Sequence, residues 1–293
     1  MAEIIAVASG KGGVGKSFFS ANLAMSMKKL YDAILLVDGD LGGANLHSFV
    51  GLKAQGKGIY NFLKENFRIE DVILETPAQV DFIGGSSDIL GMAHINNFEK
   101  LKILNHLKRA NYKYVVMDLG AGTSYNMIDF FNFSDKKVLI MNSEPTSIEN
   151  SYGFLKIALY RKIERHLFKD PRLENICSKL RSRSMNYQRV DDILEELDRI
   201  DRKISEEVLE IVSEYKVGLV LNMLKFKKEL NIFYGFENVS KKYLRISVEK
   251  LGFLPYDLYV SESLKKLEPY YLNTTDSNRE FFDDIRDLIL KKL

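Results

Sequence analysis

The chain is poor in the residues that advertise a special construction. It has one cysteine, Cys177, among 293 residues, which excludes an internal disulfide framework, a CxxC redox pair and any Cys-rich zinc or iron–sulfur site built within one chain. A reducing compartment is the expected home. Five prolines and no Pro/Ser-rich linker favour a single domain over 1–293, although length alone would allow two. No apolar run reaches the roughly 18 residues a membrane span needs, so no transmembrane helix is expected. No basic n-region or cleavage site accompanies the first apolar run at 4–8, so no signal peptide is read and a cytoplasmic location is expected. Net charge is nearly absent too. Against 40 Asp and Glu stand 42 Lys and Arg, a formal +2, and the whole-molecule field announces neither a nucleic acid nor a membrane. Any such partner has to be read from a local patch. What the chain does have is 46% hydrophobic residues, enough to bury a sizeable core.

Short apolar, β-branched runs recur at 4–8, 34–37, 80–83, 114–117, 138–141, 217–221 and 251–254, alternating with helical patterns. Continuous apolar character suits strands buried on both faces, and helices between them imply right-handed crossovers and parallel pairing. The predicted fold is α/β: a doubly wound, mostly parallel sheet flanked by helices. The stretch 156–215 is too long and too charged for an ordinary crossover and reads as a helical insertion. Within it Val190, Ile193, Leu194, Leu197, Ile200, Ile204, Val208, Ile211 and Val212 keep close to a 3.6-residue period, the signature of one amphipathic helix. Its charge is divided, with ten basic and three acidic residues over 156–189 against three basic and ten acidic over 190–215. Two readings stand. Either a helical hairpin pairs its opposite charges along solvated faces, or Lys179, Arg181, Arg183 and Arg189 contact anionic lipid, nucleic acid or a protein partner.

The first strand leads into Gly10-Lys11-Gly12-Gly13-Val14-Gly15-Lys16-Ser17, with Phe18 heading a helix-compatible stretch. This fits GxxxxGK[ST] in the strand–loop–helix context that the P-loop NTPase motif needs. Glycines let successive backbone N–H groups point into one concavity around phosphate oxygens, and the positive end of the helix adds a favourable field. Lys16 is expected to bridge the β- and γ-phosphates and the Ser17 hydroxyl to coordinate Mg²⁺.

The general motif does not explain Lys11, a second lysine where small residues usually suffice. On KGGxGK[ST], standing here at 11–17, the chain resembles the MinD/ParA family of deviant Walker A ATPases. That resemblance implies ATP and Mg²⁺ as cofactors, hydrolysis to ADP that is slow without a partner, and an ATP-dependent homodimer. In it Lys11 reaches across to the partner's nucleotide, so that Lys11, Lys16 and Asp40 are the catalytic positions.

Two further elements follow in the family's order. Val37-Asp38-Gly39-Asp40 ends the second strand, where carboxylates face a nucleotide crevice. By resemblance this is switch I, with Asp38 near the metal and Asp40 positioning the attacking water. Aspartates at strand ends also cap turns, and that reading stays open. Asp118-Leu119-Gly120-Ala121-Gly122 then reads as Walker B and switch II, Asp118 holding Mg²⁺ through water and Gly122 offering a backbone N–H to the γ-phosphate. Near the end of the chain, Asn222 and Pro255-Tyr256-Asp257 match the family's adenine-reading positions, where Asn222 supplies both a donor and an acceptor.

Leu41-Gly42-Gly43-Ala44-Asn45-Leu46-His47 and the stretch 143–152 look most like the FlhG-type branch, which counts and positions flagella, and its MinD-related relatives. The family sets 144–152 near the dimer interface. This implies spatial control of flagella, cell division or polarity, with an FlhF-like GTPase or a flagellar or division component as partner, in the cytoplasm or peripherally at the membrane or cell pole. A ParA-like protein that binds DNA through 156–189 is the alternative. An Mrp-like iron–sulfur carrier is disfavoured because Cys177 lies in the insertion. At the C-terminal end Phe281, Phe282, Ile285, Leu288 and Ile289 form an apolar helix face, but Glu280, Asp283, Asp284 and Asp287 set it against anionic lipid. Packing on the sheet is expected.

Overall fold

The computed structural model describes residues 1–54, 56–85, 95–182 and 187–293. Its strands are β1 (Glu3–Ser9), β2 (Ile34–Gly39), β3 (Leu74–Glu75), β4 (Asp81–Ile83), β5 (Tyr114–Ala121), β6 (Lys136–Met141), β7 (Val217–Leu224) and β8 (Val248–Pro255). They form one sheet in the order β3-β4-β2-β5-β1-β6-β7-β8, in which only the two-residue β3 runs antiparallel to its neighbour. All seven expected strands are present and parallel. β3 is the addition.

The helices are α1 (Lys16–Lys28), α2 (Ile59–Lys64), α3 (Asn97–Arg109), α4 (Tyr125–Phe133), α5 (Pro145–Leu167), α6 (Glu174–Arg181), α7 (Val190–Asp198), α8 (Arg202–Ser213), α9 (Asn231–Leu244), α10 (Tyr259–Lys266), α11 (Tyr270–Asn273) and α12 (Asp276–Lys292). They cover both sheet faces, and the strand side chains sort accordingly. Ile4, Ala6 and Ala8 of β1 join one core with Phe130, Phe154 and Leu159, while Ile5 and Val7 join the other with Phe19, Phe282 and Ile285. This two-sided burial is why the strands read as unbroken apolar runs.

The insertion differs from its expected outline. Helix α5 runs unbroken through Lys156 to Leu167, so the change of pattern read at 156 falls in mid-helix and the added elements begin after it. The amphipathic stretch 190–215 is two helices, because the Asp201 side chain accepts from the Lys203 N–H and starts α8 afresh. The charges of the two halves do meet. Lys179 Nζ lies 2.7 Å from Glu196 Oε1, Arg172 Nη2 3.4 Å from Asp201 Oδ2, and His166 Nε2 3.0 Å from Glu207 Oε2. Helix α12 packs with Phe282, Ile285 and Ile289 buried, as its acidic outer face leads one to expect. Arg286 anchors it by donating to the Ser26 carbonyl oxygen of α1 at 2.9 Å. Among the described residues no helix is long and apolar enough to cross a membrane.

Candidate functional site

The carboxyl ends of β1, β2, β5, β7 and β8 open onto one cleft of about 780 Å³, in the crevice where open α/β sheets bind ligands. The loop leaving β1 forms its floor. Gly15 caps α1 with a left-handed φ of 84° and Gly13 has φ 80°, so the chain can turn back over the first helical amides only with glycine there. A side chain added at Gly13 would meet nothing within 4 Å and one at Gly12 only Ala121 at 4.0 Å. The loop thus rims open space rather than packed protein, which is the shape a phosphate group requires. Gly10 is the opposite case: an added Cβ would lie 2.2 Å from the backbone carbonyl of Asn150, so the loop rests directly on α5.

Strand register then brings the carboxylates together. Asp38 of β2 is the lateral partner of Asp118 of β5, and both are buried. Asp118 gathers three groups from α1: Lys16 Nζ donates to Oδ1 at 2.8 Å, Ser20 Oγ to Oδ1 at 2.9 Å, and Ser17 Oγ to Oδ2 at 2.6 Å. Asp38 accepts from the Asp40 and Leu46 N–H groups at 3.0 and 3.1 Å. Burial, and after it the neighbouring Asp118 charge, push its carboxyl up to about 7. Cation binding beside it would reverse that cost. Among the described residues no three His, Cys, Asp or Glu side chains form a metal cage of their own. Ser17 with Asp118 and Asp38 is instead a partial set, the kind Mg²⁺ uses when phosphate and water complete its octahedron.

Asp40 is half-buried, and its Oδ1 accepts from the Gly42 and Gly43 N–H groups at 3.1 and 3.0 Å. It caps the turn that follows it while lining the cleft. Gly122, at φ 91°, donates its N–H to the Ser9 carbonyl oxygen at 3.3 Å, which ties the segment after β5 to the end of β1. Lys11 turns away from the cleft floor: Nζ lies 2.6 Å from Glu144 Oε2 and 2.9 Å from Thr146 Oγ1. The Lys11 hydrogen bond and charge hold the Glu144 carboxyl below its usual range.

At the far end, Asn222 donates from Nδ2 to the Val14 carbonyl oxygen at 2.8 Å and accepts from the Met223 N–H. It joins β7 to the phosphate loop, and Met223 beside it takes φ 60°. The Asp257 carboxylate is occupied by the Tyr259 N–H, the Tyr270 hydroxyl and Asn278 Nδ2, which leaves only the backbone around Pro255 and Asp257 to offer a ligand. Phe18 lines the cleft too, and its ring packs edge-on to Tyr270 and Phe282. Sequence reasoning missed the apolar wall of this end, made by Phe49, Leu258, Val260 and Leu264. No motif announces it, because these residues come from a short helical turn at 46–50 after β2, from the residue before α10 and from α10 itself.

The basic residues singled out in the insertion are engaged internally. Lys179 pairs with Glu196, Arg181 with Glu164 and Glu174, and Arg189 with Asp191. Arg183 lies outside the described residues. Asp129 of α4 is fully buried and paired with Lys100 of α3 and Arg161 of α5.

A family model described as "ParA: NUBPL iron-transfer P-loop NTPase" matches residues 1–80, a span that holds the phosphate loop and switch I but no cysteine. The flagellum site-determining protein YlxH of Helicobacter pylori is 32% identical over 190 residues, covering 64% of this chain and 63% of the relative. The antiactivator FleN of Pseudomonas aeruginosa is 29% identical over 157 residues, covering 53% and 56%. The chain therefore matches less than two thirds of the length of these relatives. Over the whole fold it superposes on the septum site-determining protein MinD of Pyrococcus horikoshii, solved with Mg-ADP, at a TM-score of 0.67 and 18% identity, covering 99% and 96% of the two chains. The resemblance to MinD/ParA-type P-loop ATPases, with flagellar proteins among the relatives, is borne out by phosphate loop, relatives and fold together.

Proposed function

We propose that this chain, a MinD/ParA-type P-loop ATPase by loop and fold, binds Mg-ATP, pairs with a second copy when ATP is bound, and resets by hydrolysing it to ADP. The observation that carries the reading is the loop from Gly10 to Ser17. Gly12 and Gly13 rim open space while Lys16, Ser17 and Asp118 converge at the loop's helical end. Bound Mg²⁺ would neutralise charge on the phosphate oxygens. On the protein side, Lys16 would exchange Asp118 for the phosphates, Ser17 and Asp118 would hold the metal shell, and Asp40 would orient water from its capped turn. Asp is a weak base towards water, so orientation is the role its chemistry allows. Hydrolysis is slow until a partner completes the site.

The cycle would serve spatial organisation, of flagella in the first place, since the YlxH relative is named for determining the flagellar site. A division or flagellar component, or an FlhF-like GTPase, is the proposed partner, and a cytoplasmic protein acting peripherally at the membrane or cell pole the proposed setting. The pairing of Lys179, Arg181 and Arg189 within the chain weighs against a DNA or lipid surface at 156–189. The test is nucleotide-dependent oligomerisation of wild type and Asp40→Ala. Dimers with ATP but not ADP, more persistent in Asp40→Ala, are expected; a monomer in every nucleotide, or normal ATP binding by Lys16→Ala, overturns the proposal.

A further inference from the structure

We infer that the cavity enclosed by α3, α4, α5 and the insertion's α6 is a docking site for an acidic protein segment that carries an aromatic side chain. The cavity measures about 910 Å³ and lies on the sheet face opposite α1 and α12. The insertion supplies one wall. Lys179, Leu180 and Arg181 of α6, with Tyr187 beyond it, close a space that α3, α4 and α5 alone would leave as open surface. Tyr160 of α5 ties that wall down by donating its hydroxyl to the Tyr187 carbonyl oxygen at 3.3 Å.

The lining is cationic. Among the described residues, Lys100, Arg161, Lys179 and Arg181 face one carboxylate, Glu164. The side chains of Asp129 and Glu164 are 0% and 5% exposed, whereas Arg161 and Arg181 keep 19% and 35% of theirs accessible. Arg161 donates to Asp129 and Glu164, and Arg181 to Glu164 and Glu174. Both guanidinium groups are thus fixed in place before a ligand arrives, which lowers the entropic cost of binding. Lys179 is held in the same way by Glu196, whose carboxylate also takes the Tyr187 hydroxyl.

The edge of the cavity is aromatic. Tyr125 is 60% exposed with the Arg161 guanidinium 5.0 Å from its ring centroid, and Asn97 is followed by the exposed Phe98. Tyr and Arg are the side chains that carry most interface energy. A recess among four helices admits a side chain or a short segment, whereas a duplex or a bilayer needs a broad face of unpaired cations. Ala121 lines the cleft and Thr123 this cavity, so a segment docked here touches the stretch of chain that borders the cleft.

Binding is read by fluorescence anisotropy of a short labelled peptide of alternating Glu and Tyr, with Gln–Tyr and Glu–Ala peptides beside it. The Glu–Tyr peptide is expected to saturate, and each replacement to weaken it about 5-fold or more. Tyr125→Ala should lose about 5 to 30-fold and Asn97→Glu about 2 to 5-fold. Both variants keep the fold, since Tyr125 is exposed and a carboxylate at the first position of α3 suits the helix field. Ser277→Glu makes the same charge change in the first turn of α12, on the other face, and should bind as wild type does. No saturable binding, or equal losses in Ser277→Glu and Asn97→Glu, overturns the proposal. So does a Gln–Tyr peptide that binds as tightly as Glu–Tyr. Displacement by inorganic phosphate as complete as by unlabelled peptide at equal concentration overturns it in favour of a small-anion site. Tighter binding of a short DNA duplex, weakened by Asn97→Glu, overturns it in favour of a nucleic-acid site.

Discussion

Lys16 and Asp118 form a buried ion pair, Nζ to Oδ1 at 2.8 Å with 9% and 1% of their side chains exposed, at the point where α1 meets the end of β5. Such a pair stabilises little relative to apolar residues of the same shape, but removing one partner strands the other charge at a cost of about 3–5 kcal/mol. Asp118→Ala is therefore expected to lower the melting temperature by about 5–8 °C, given an unfolding entropy of about 2.1 cal/mol/K per residue. The double variant Asp118→Ala/Lys16→Met should recover most of that loss. Thermal unfolding of the three proteins checks it, and additive losses in the double variant would refute the pairing.

The phosphate loop should tolerate substitution unevenly. Gly10→Ala drives a methyl to 2.2 Å from the Asn150 backbone, whereas Gly12→Ala meets only Ala121 at 4.0 Å. Backbone on α5 cannot step aside as a side chain would, so Gly10→Ala is expected to cost about 1–3 kcal/mol, read as a melting point lower by about 2–5 °C. Gly12→Ala should remain within about 1 °C of wild type. Equal effects would mean the loop does not rest on α5.

A second buried charge lies in α4. Asp129, fully buried, meets Lys100 at 2.5 Å and Arg161 at 3.3 Å. Lys108 and Asp135 pair at 2.8 Å but are about one-third exposed. Asp129→Ala should cost about 3–5 kcal/mol, and Lys108→Ala about 1 kcal/mol or less. Urea denaturation of both variants reads the contrast, and similar midpoints would refute it.

Lys137 gives a pH-dependent case. Burial, and then the Lys162 charge, lower its ammonium to about 8 from an ordinary 10.5. The folded protein thus binds this proton less well than the unfolded chain. The penalty is full below about pH 8 and is relieved as pH rises from there towards the unfolded value. Lys137→Met is expected to melt above wild type at pH 7, with the advantage shrinking as pH approaches 10. An advantage that does not change with pH would rule out the lysine as its source.

Much of the site was legible because its signals are local. Gly10 to Ser17 fall in one loop, and Asp38 and Asp118 each end an apolar strand, so register alone could set them side by side. What escaped depends on contacts distant in sequence or on breaks without a compositional mark. The partners that occupy Asp257 come from Tyr270 and Asn278, 13 and 21 residues further on. Lys11 meets residues more than 130 positions away. The break between α7 and α8 was hidden because Ile200 and Ile204 keep the helical period across it, while Asp201 looks like any other charge on a solvated face. β3 contains only two residues, too few to show a period.

The lone cysteine has a practical consequence. Cys177 is completely buried in α6, and burial raises its thiol above the ordinary range, so a thiol-directed dye should leave it unmodified under native conditions. The natural sequence is thus already a labelling background. A single cysteine introduced at Leu258, 73% exposed on the rim of the cleft, would carry a fluorophore whose emission follows ligand entry in real time, with no native residue replaced beforehand to silence the thiol.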